Sequence, residues 1–169
     1  ALLNIGNVVL VDGDVLNYRD NLQVKIRAVS KVNDDEFDAT RFTMASPIPL
    51  EELEKRLDSY VNSLKDKDIA LLTKTLIGKY YKSYITYPAA VRNHHEFASG
   101  LLHHTIQMAD LGEAIVNLYP SIDRDMLIAG ILLHDLGKTL ELSGPIIPKY
   151  TLEGKLIGHI SITHAEIQK

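Results

Sequence analysis

The chain has 169 residues, of which 46% are hydrophobic, and a formal net charge of −4. This length and composition predict a globular protein of one domain, or of one domain with a small appendage, and exclude a disordered chain. No apolar run approaches the roughly eighteen residues of a membrane span, so we expect a cytoplasmic protein without a membrane partner. Because cysteine is absent, any metal must be bound by histidine and carboxylate.

Residues 6–32 are expected to form strands and turns. GNVVLVDGDV is rich in valine and contains the turn signal Asp12-Gly13, and residues 22–27 alternate between apolar and polar. A hairpin turn is predicted at residues 18–21. Two or three strands are marginal alone. Basic and aromatic side chains here either contact nucleic acid or form an ordinary solvated sheet face, and the residues alone favour the second interpretation. These side chains are Tyr18, Arg19, Lys25, Arg27 and Lys31.

The chain changes character between Val32 and Pro49, where an acidic, aperiodic stretch is followed by SPIP. We place a domain boundary here, with a β-rich segment at 1–45 and a helical domain at 46–169. Apolar residues then recur at helical spacing over 50–64 and again over 69–80. They predict two helices packed on a common core, the second of which ends before Pro88.

A longer helical stretch follows residues 93–96 and ends near Tyr119-Pro120. His104 falls on its apolar side, whereas His103 lies about 100° around the helix and is expected to face elsewhere. A lone histidine beside an apolar face is more often a core residue than a ligand. The residues alone therefore leave both roles open for His104.

IAGILLHDLGKTLEL, residues 128–142, brings an imidazole and a carboxylate side by side. His134 and Asp135 are predicted near the C-terminal end of a helix over 123–136, and together they can hold a divalent cation such as Mn²⁺, Fe²⁺, Zn²⁺ or Mg²⁺. The alternative is a helix end capped by Gly137, with Asp135 and Lys138 simply facing water. For Lys138, contact with a phosphate oxygen and a plain terminal charge are equally compatible with the pattern.

Two further histidines are candidates beyond that helix. His159 follows Gly158 in a last helix that is predicted to begin near Thr151. His164 is turned about 140° from His159, so we do not expect both to bind one ion. Ligands from several helices could converge on one point, which favours a metal site.

The motifs NHHEFASGLLHHT, HDLGK, ELSGP and YTLEGKLIGHISI occur in this order. Within them, SGLLHHT, LLHDLGK and GHIS resemble the HD-domain metal-dependent phosphohydrolases. The whole string, from about Gly6 onward, is similar to the YhaM-type 3′→5′ exoribonucleases. The resemblance implies a mainly α fold, an HD-domain helical bundle preceded by a few β-strands of an OB-type nucleic-acid-binding part. By that comparison the OB-like segment is incomplete and the HD domain lacks its C-terminal part.

The resemblance also implies the ligands of the metal centre. One or two divalent ions, Mn²⁺ being the expected metal, would be bound by His104, His134, Asp135 and His159. Asp135 would bridge the ions where two are present. The family completes this site with further residues downstream, so the activity of these 169 residues alone is left open.

The reaction implied is hydrolysis of a phosphodiester by hydroxide attack on phosphorus, at the 3′ end of single-stranded RNA or DNA. Asp135 and Lys138 are assigned catalytic roles. Four residues are expected to contact the substrate: His95, Lys138, Tyr18 and Arg19. A homo-oligomer remains an open alternative to a monomer.

Three other functions remain compatible with the sequence. The chain could hydrolyse small nucleotides, with strands that serve only structure. It could be a non-catalytic module in which the strands bind nucleic acid, or a plain helical domain without a site.

Overall fold

The computed structural model describes residues 7–33, 36, 46–90 and 97–169. Contacts divide the chain into two compact units, Ala1–Asp38 and Ala39–Lys169. The predicted linker falls largely outside the described residues. The described part of the chain forms two antiparallel strands followed by helices, which confirms the mainly α fold with a few N-terminal strands. Within that part, no helix is both long enough and apolar enough to cross a membrane.

The first unit contains a β-hairpin of β1 (Val9–Tyr18) and β2 (Asn21–Lys31). Its turn lies at the predicted position, between paired residues 18 and 21. Arg19 and Asp20 both have positive φ, at 51° and 60°. Such turns match the right-handed twist of the strands they join, which explains why a two-residue connection suffices.

The turn predicted at Asp12-Gly13 is wrong. Both residues lie inside β1, where the register shifts because Asp12 pairs with Ala28 and Gly13 with Ile26. The extra residue on β2 forms a β-bulge. A Cβ at position 13 would lie 2.6 Å from the backbone oxygen of Lys25, so the glycine serves close strand approach rather than chain reversal.

The second unit is a bundle of helices around one apolar core. Their bounds are α1 (Leu50–Ser63), α2 (Lys67–Thr86), α3 (Gly100–Leu118), α4 (Arg124–Leu133), α5 (Lys138–Glu141) and α6 (Leu152–Ile167). The two helices predicted from apolar spacing are confirmed as α1 and α2. The core contains fully buried side chains from α1, α3 and α4, among them Leu53, Leu57, Leu101, Ile106, Ile128 and Leu132.

The predicted helix over 123–136 ends earlier than expected, at Leu133. Beyond it, Leu136 donates its N–H to the oxygen of Leu133, and Lys138 donates to that of Asp135, both at 3.0 Å. These bonds span three residues instead of four, so the chain tightens into a turn. The helix is interrupted at His134 and Asp135, so their side chains do not lie on a continuous helical surface.

Tyr84 links the end of α4 to the core by a hydrogen bond. Its side chain is fully buried, and its hydroxyl donates to the backbone oxygen of Leu132 at 2.7 Å. Because that carbonyl belongs to the last turn of α4, the contact fixes the helix end that presents His134.

Glu166 on α6 is a buried carboxylate that joins two helices. It accepts hydrogen bonds from Lys79 at 2.7 Å and from Tyr80, both on α2, and another from Lys169. The bonds from Lys169, Lys79 and Tyr80 lower the pKa of Glu166 from 4.5 to about 2. The ionised form is therefore favoured in the folded state.

Glu166→Gln is expected to reduce the free energy of unfolding near neutral pH by about 1–2 kcal/mol, because the charge-assisted bonds are lost. A carboxylate with a lowered pKa stabilises the fold above its unfolded pKa, so the gap between wild type and variant should close as pH falls from 4.5 towards 2. Urea unfolding near neutral pH and at about pH 3 measures this. Glu153→Gln, at an exposed position of α6, is the matched control. A stability difference between wild type and Glu166→Gln that persists at low pH would contradict the ionised state assigned to Glu166.

Candidate metal centre

Three potential ligands from α3 and from the turn after α4 converge in the second unit. One donor atom each from His104, His134 and Asp135 lies within 4.8 Å of the other two. The imidazole rings of His104 and His134 are 5.5 Å apart between centroids. This separation suits two nitrogens and one carboxylate oxygen around a single cation.

His134 has its tautomer fixed by the backbone. Its Nδ1 lies 2.7 Å from the carbonyl oxygen of Ile131. Since that oxygen can only accept, Nδ1 carries the proton and neutral His134 keeps its lone pair on Nε2. Nε2 is also the atom that faces Asp135, at 3.2 Å from Oδ2. A backbone acceptor behind the ring is typical of metal-binding histidines.

The two oxygens of Asp135 face different partners. Oδ2 lies 3.2 Å from His134 Nε2, 3.7 Å from His104 Nε2 and 2.8 Å from Lys138 Nζ. Oδ1 lies 3.4 Å from Nε2 of His159. The carboxylate is buried, so it relies on these partners rather than on water. Three histidines and one lysine thus surround one aspartate.

The charges of this cluster are coupled. Burial alone would raise the pKa of Asp135, but hydrogen bonds from protonated His134 and from Lys138 outweigh it and hold that pKa well below its ordinary value. Burial alone would lower the pKa of His134, and the Asp135 carboxylate outweighs this and raises it. Asp135 is therefore ionised, which is the form that binds a cation.

Glycines bring His159 to the cluster. Gly158 interrupts α6 with φ 72° and ψ 160°, a conformation that is essentially restricted to glycine. Space is not the reason for this glycine, since a Cβ there would meet nothing within 4 Å. At Gly137, by contrast, a Cβ would lie 2.2 Å from the backbone oxygen of His159. The turn after α4 and the kink of α6 therefore touch backbone to backbone.

Lys138 does not simply face water. Only 16% of its side chain is exposed, and its ammonium lies against Asp135. The side chain therefore does not face water, and its contact with a phosphate oxygen stays a prediction. The ammonium lies within the cluster of ionisable groups, where it can interact with a bound anion.

The two adjacent histidines of α3 have separate surroundings. His103 is buried, with Nδ1 2.9 Å from the hydroxyl of Ser46 and its ring 5.6 Å from that of Phe97. His104 approaches Asp135 instead. His103 thus faces elsewhere, as predicted, although it is the more deeply buried of the two.

Three predicted substrate contacts remain: His95, Tyr18 and Arg19. His95 lies outside the described residues. Tyr18 is exposed at the tip of the hairpin, with the guanidinium of Arg19 5.2 Å from its ring centre. These two residues can stack on bases or meet phosphates within the first unit. Arg27 is paired with two carboxylates of β1, at 3.2 and 3.3 Å, and so contributes little free positive charge.

Sequence reasoning missed Glu141. The carboxylate of this residue lies 3.1 Å from Nδ1 of His159, and the side chain is 9% exposed. A charged residue between Leu140 and Leu142, within the motif HDLGKTLELSGP, was the available signal. Its partner lies eighteen residues away on another helix, which spacing alone does not reveal.

Comparison with known protein families matches residues 101–169 to the HD domain. No solved structure matches the chain. The matched range contains all four candidate ligands, and the match supports membership of this segment in the HD phosphohydrolase superfamily. An HD domain implies a metal-dependent phosphohydrolase, and the cluster of His104, His134 and Asp135 suggests a site for a divalent metal.

Proposed function

We propose that this protein is a metal-dependent phosphodiesterase that acts as a 3′→5′ exoribonuclease on single-stranded RNA, with Mn²⁺ as its metal. The main support is the convergence of His104, His134 and His159 on the two oxygens of Asp135. Imidazole and carboxylate together suit borderline divalent ions. The preference for an RNA end is supported by the resemblance of the motif string, which extends beyond the HD range.

The residues present fit a metal ion. His104, His134 and Asp135 Oδ2 would hold one cation, and the opposite oxygen of Asp135 with His159 would contribute to a second. Three ligands leave coordination positions open, as catalytic sites do. When bound, divalent cations polarise phosphoryl oxygens and lower the pKa of water towards neutrality.

The chain itself would then orient and neutralise the phosphate. Asp135 fixes the ammonium of Lys138 at 2.8 Å, so that one positive charge is held at the site before substrate arrives. A phosphodiester oxygen beside that ammonium would gain charge stabilisation as the phosphorus is attacked. His134 cannot turn its ring without losing the bond to Ile131, which keeps Nε2 directed at the reacting centre.

The hairpin gives modest support for a single-stranded substrate. It exposes an aromatic ring and a guanidinium together at its tip. Base stacking on such groups tolerates any sequence, as an exonuclease requires. The net charge of −4 adds no general attraction for nucleic acid, so binding would depend on these local groups and on the metal.

The experiment is the incubation of a 5′-labelled single-stranded RNA with the purified chain in Mn²⁺. We expect products that shorten progressively from the 3′ end, no reaction with EDTA, and a rate at least about 10²-fold lower for His134→Ala. His164→Ala is the matched control, since His164 is exposed on α6 and should leave the rate unchanged.

Other outcomes identify the alternatives. Hydrolysis of free nucleotides without shortening of RNA or of a DNA strand of the same sequence would select a small-nucleotide phosphohydrolase. Binding of RNA that EDTA does not affect, without hydrolysis, would select a non-catalytic module. Either result would overturn the exoribonuclease proposal.

A further inference from the structure

Glu141 ends α5 with its carboxylate buried against α6. Its oxygens lie 3.2 Å and 3.1 Å from Nδ1 of His159, and Oε1 also accepts the backbone N–H of His159 at 3.2 Å. All three of these contacts lead to one residue. A buried carboxylate is costly unless its hydrogen bonds compensate, so packing alone does not explain a glutamate here.

This contact decides which nitrogen of His159 carries the proton. A carboxylate can only accept, and the distances to Nδ1 lie within the hydrogen-bond range, whereas Nε2 lies 3.4 Å from Asp135 Oδ1, beyond it. In neutral His159 the proton therefore belongs on Nδ1. The lone pair is left on Nε2, the nitrogen that faces Asp135.

The backbone holds Glu141 in place independently of its side chain. Thr151 donates its N–H to the carbonyl oxygen of Glu141 at 2.8 Å. Gly154 packs directly on it, since a Cβ at that position would lie 2.6 Å from the same oxygen and 2.7 Å from Cγ of Glu141. The carboxylate is thus fixed before any cation arrives, which is what orientation of a ligand requires.

We propose that Glu141 is a positioning residue that acts through His159. It fixes the tautomer and orientation of the imidazole and increases its electron donation towards a cation between Nε2 and Asp135 Oδ1. Carboxylate–histidine pairs of this kind change metal affinity by about 10- to 100-fold. The inference rests on the proposed metal-dependent function and assigns this site a residue outside its ligand set.

The first test is the tautomer of His159 in the metal-free full chain, read from long-range ¹H–¹⁵N NMR correlations. We expect the Nδ1–H form in wild type. In Glu141→Gln the amide group can donate to Nδ1, so we expect the Nε2–H form to appear. Wild-type His159 with its proton on Nε2 would overturn the proposal, and this result does not depend on whether the variant folds.

The second test is calorimetric titration with Mn²⁺. Glu141→Gln should weaken the binding step that involves His159 by about 10- to 100-fold, and Glu153→Gln should not. In a His159→Ala background, Glu141→Gln should have no further effect, because a positioning residue acts only through its partner. Equal Mn²⁺ affinity of wild type and Glu141→Gln would overturn the proposal.

The two proposals fail separately. If wild type binds Mn²⁺ and shows the Nδ1–H tautomer but hydrolyses no phosphodiester, the proposed function fails and Glu141 keeps its role. If wild type hydrolyses RNA while Glu141→Gln retains both tautomer and affinity, the role of Glu141 fails alone.

Discussion

Asp135→Ala is expected to abolish tight Mn²⁺ binding and to lower the rate of phosphodiester hydrolysis by at least about 10³-fold. The two oxygens of Asp135 face His134 on one side and His159 on the other. Its removal also leaves the ammonium of Lys138 without its acceptor. Both the cation and the phosphate contact should therefore be lost together. Calorimetry with Mn²⁺ and the RNA-shortening assay measure the two effects.

A comparison with Asp123→Ala separates the loss of a metal ligand from a general loss of stability. Asp123 caps the start of α4 by accepting from Met126 N–H, so its loss should cost about 1 kcal/mol of stability and leave Mn²⁺ affinity intact. We expect Asp135→Ala to remain folded, and a denaturant unfolding curve recorded near neutral pH checks this. Full Mn²⁺ affinity in folded Asp135→Ala would refute the assigned ligand set.

Gly137→Ala is expected to destabilise the fold by about 1–3 kcal/mol and to weaken metal binding. The added Cβ would lie 2.2 Å from the backbone oxygen of His159 and 2.8 Å from the hydroxyl of Thr163. Neither the turn nor α6 can relieve this clash by a side-chain rotation, because one partner is backbone. The two segments must separate, which moves His159 away from Asp135. Thermal unfolding and Mn²⁺ titration report the two consequences.

Gly130→Ala is the matched control for that substitution. Gly130 is exposed within α4, and a Cβ there meets nothing within 4 Å. Alanine at this position should stabilise the helix by about 0.5–1 kcal/mol and leave Mn²⁺ affinity unchanged. Wild-type stability and metal affinity in Gly137→Ala would show that the close contact between the turn and α6 has no functional consequence.

Much of the helical unit could be predicted because its signals are local. Apolar spacing alone identified α1 and α2, and the cap at Thr151, which accepts from the N–H of Gly154, marks the start of α6 as expected. His134 and Asp135 are adjacent in the sequence, so their proximity could be predicted directly. The hairpin turn at 18–21 was likewise indicated by Asp20 and Asn21, residue types that favour turns.

The features that sequence reasoning missed depend on contacts between distant residues. Asp12-Gly13 carries a turn signal, yet it lies within β1, opposite the β-bulge of β2. The end of α4 before His134 follows from bonds that tighten the turn and from contact of Gly137 with α6. The role of Glu141 depends on the tertiary fold, because α6 places His159 beside its carboxylate. Local periodicity carries no information on such pairs.

The most direct test is a crystal structure of the chain with Mn²⁺, with anomalous diffraction measured at the manganese edge. We expect an anomalous peak about 2.0–2.3 Å from Nε2 of His104, Nε2 of His134 and Oδ2 of Asp135. The absence of a peak between these three atoms at saturating Mn²⁺, in a protein that nevertheless hydrolyses RNA, would contradict the metal centre from which the proposed function follows.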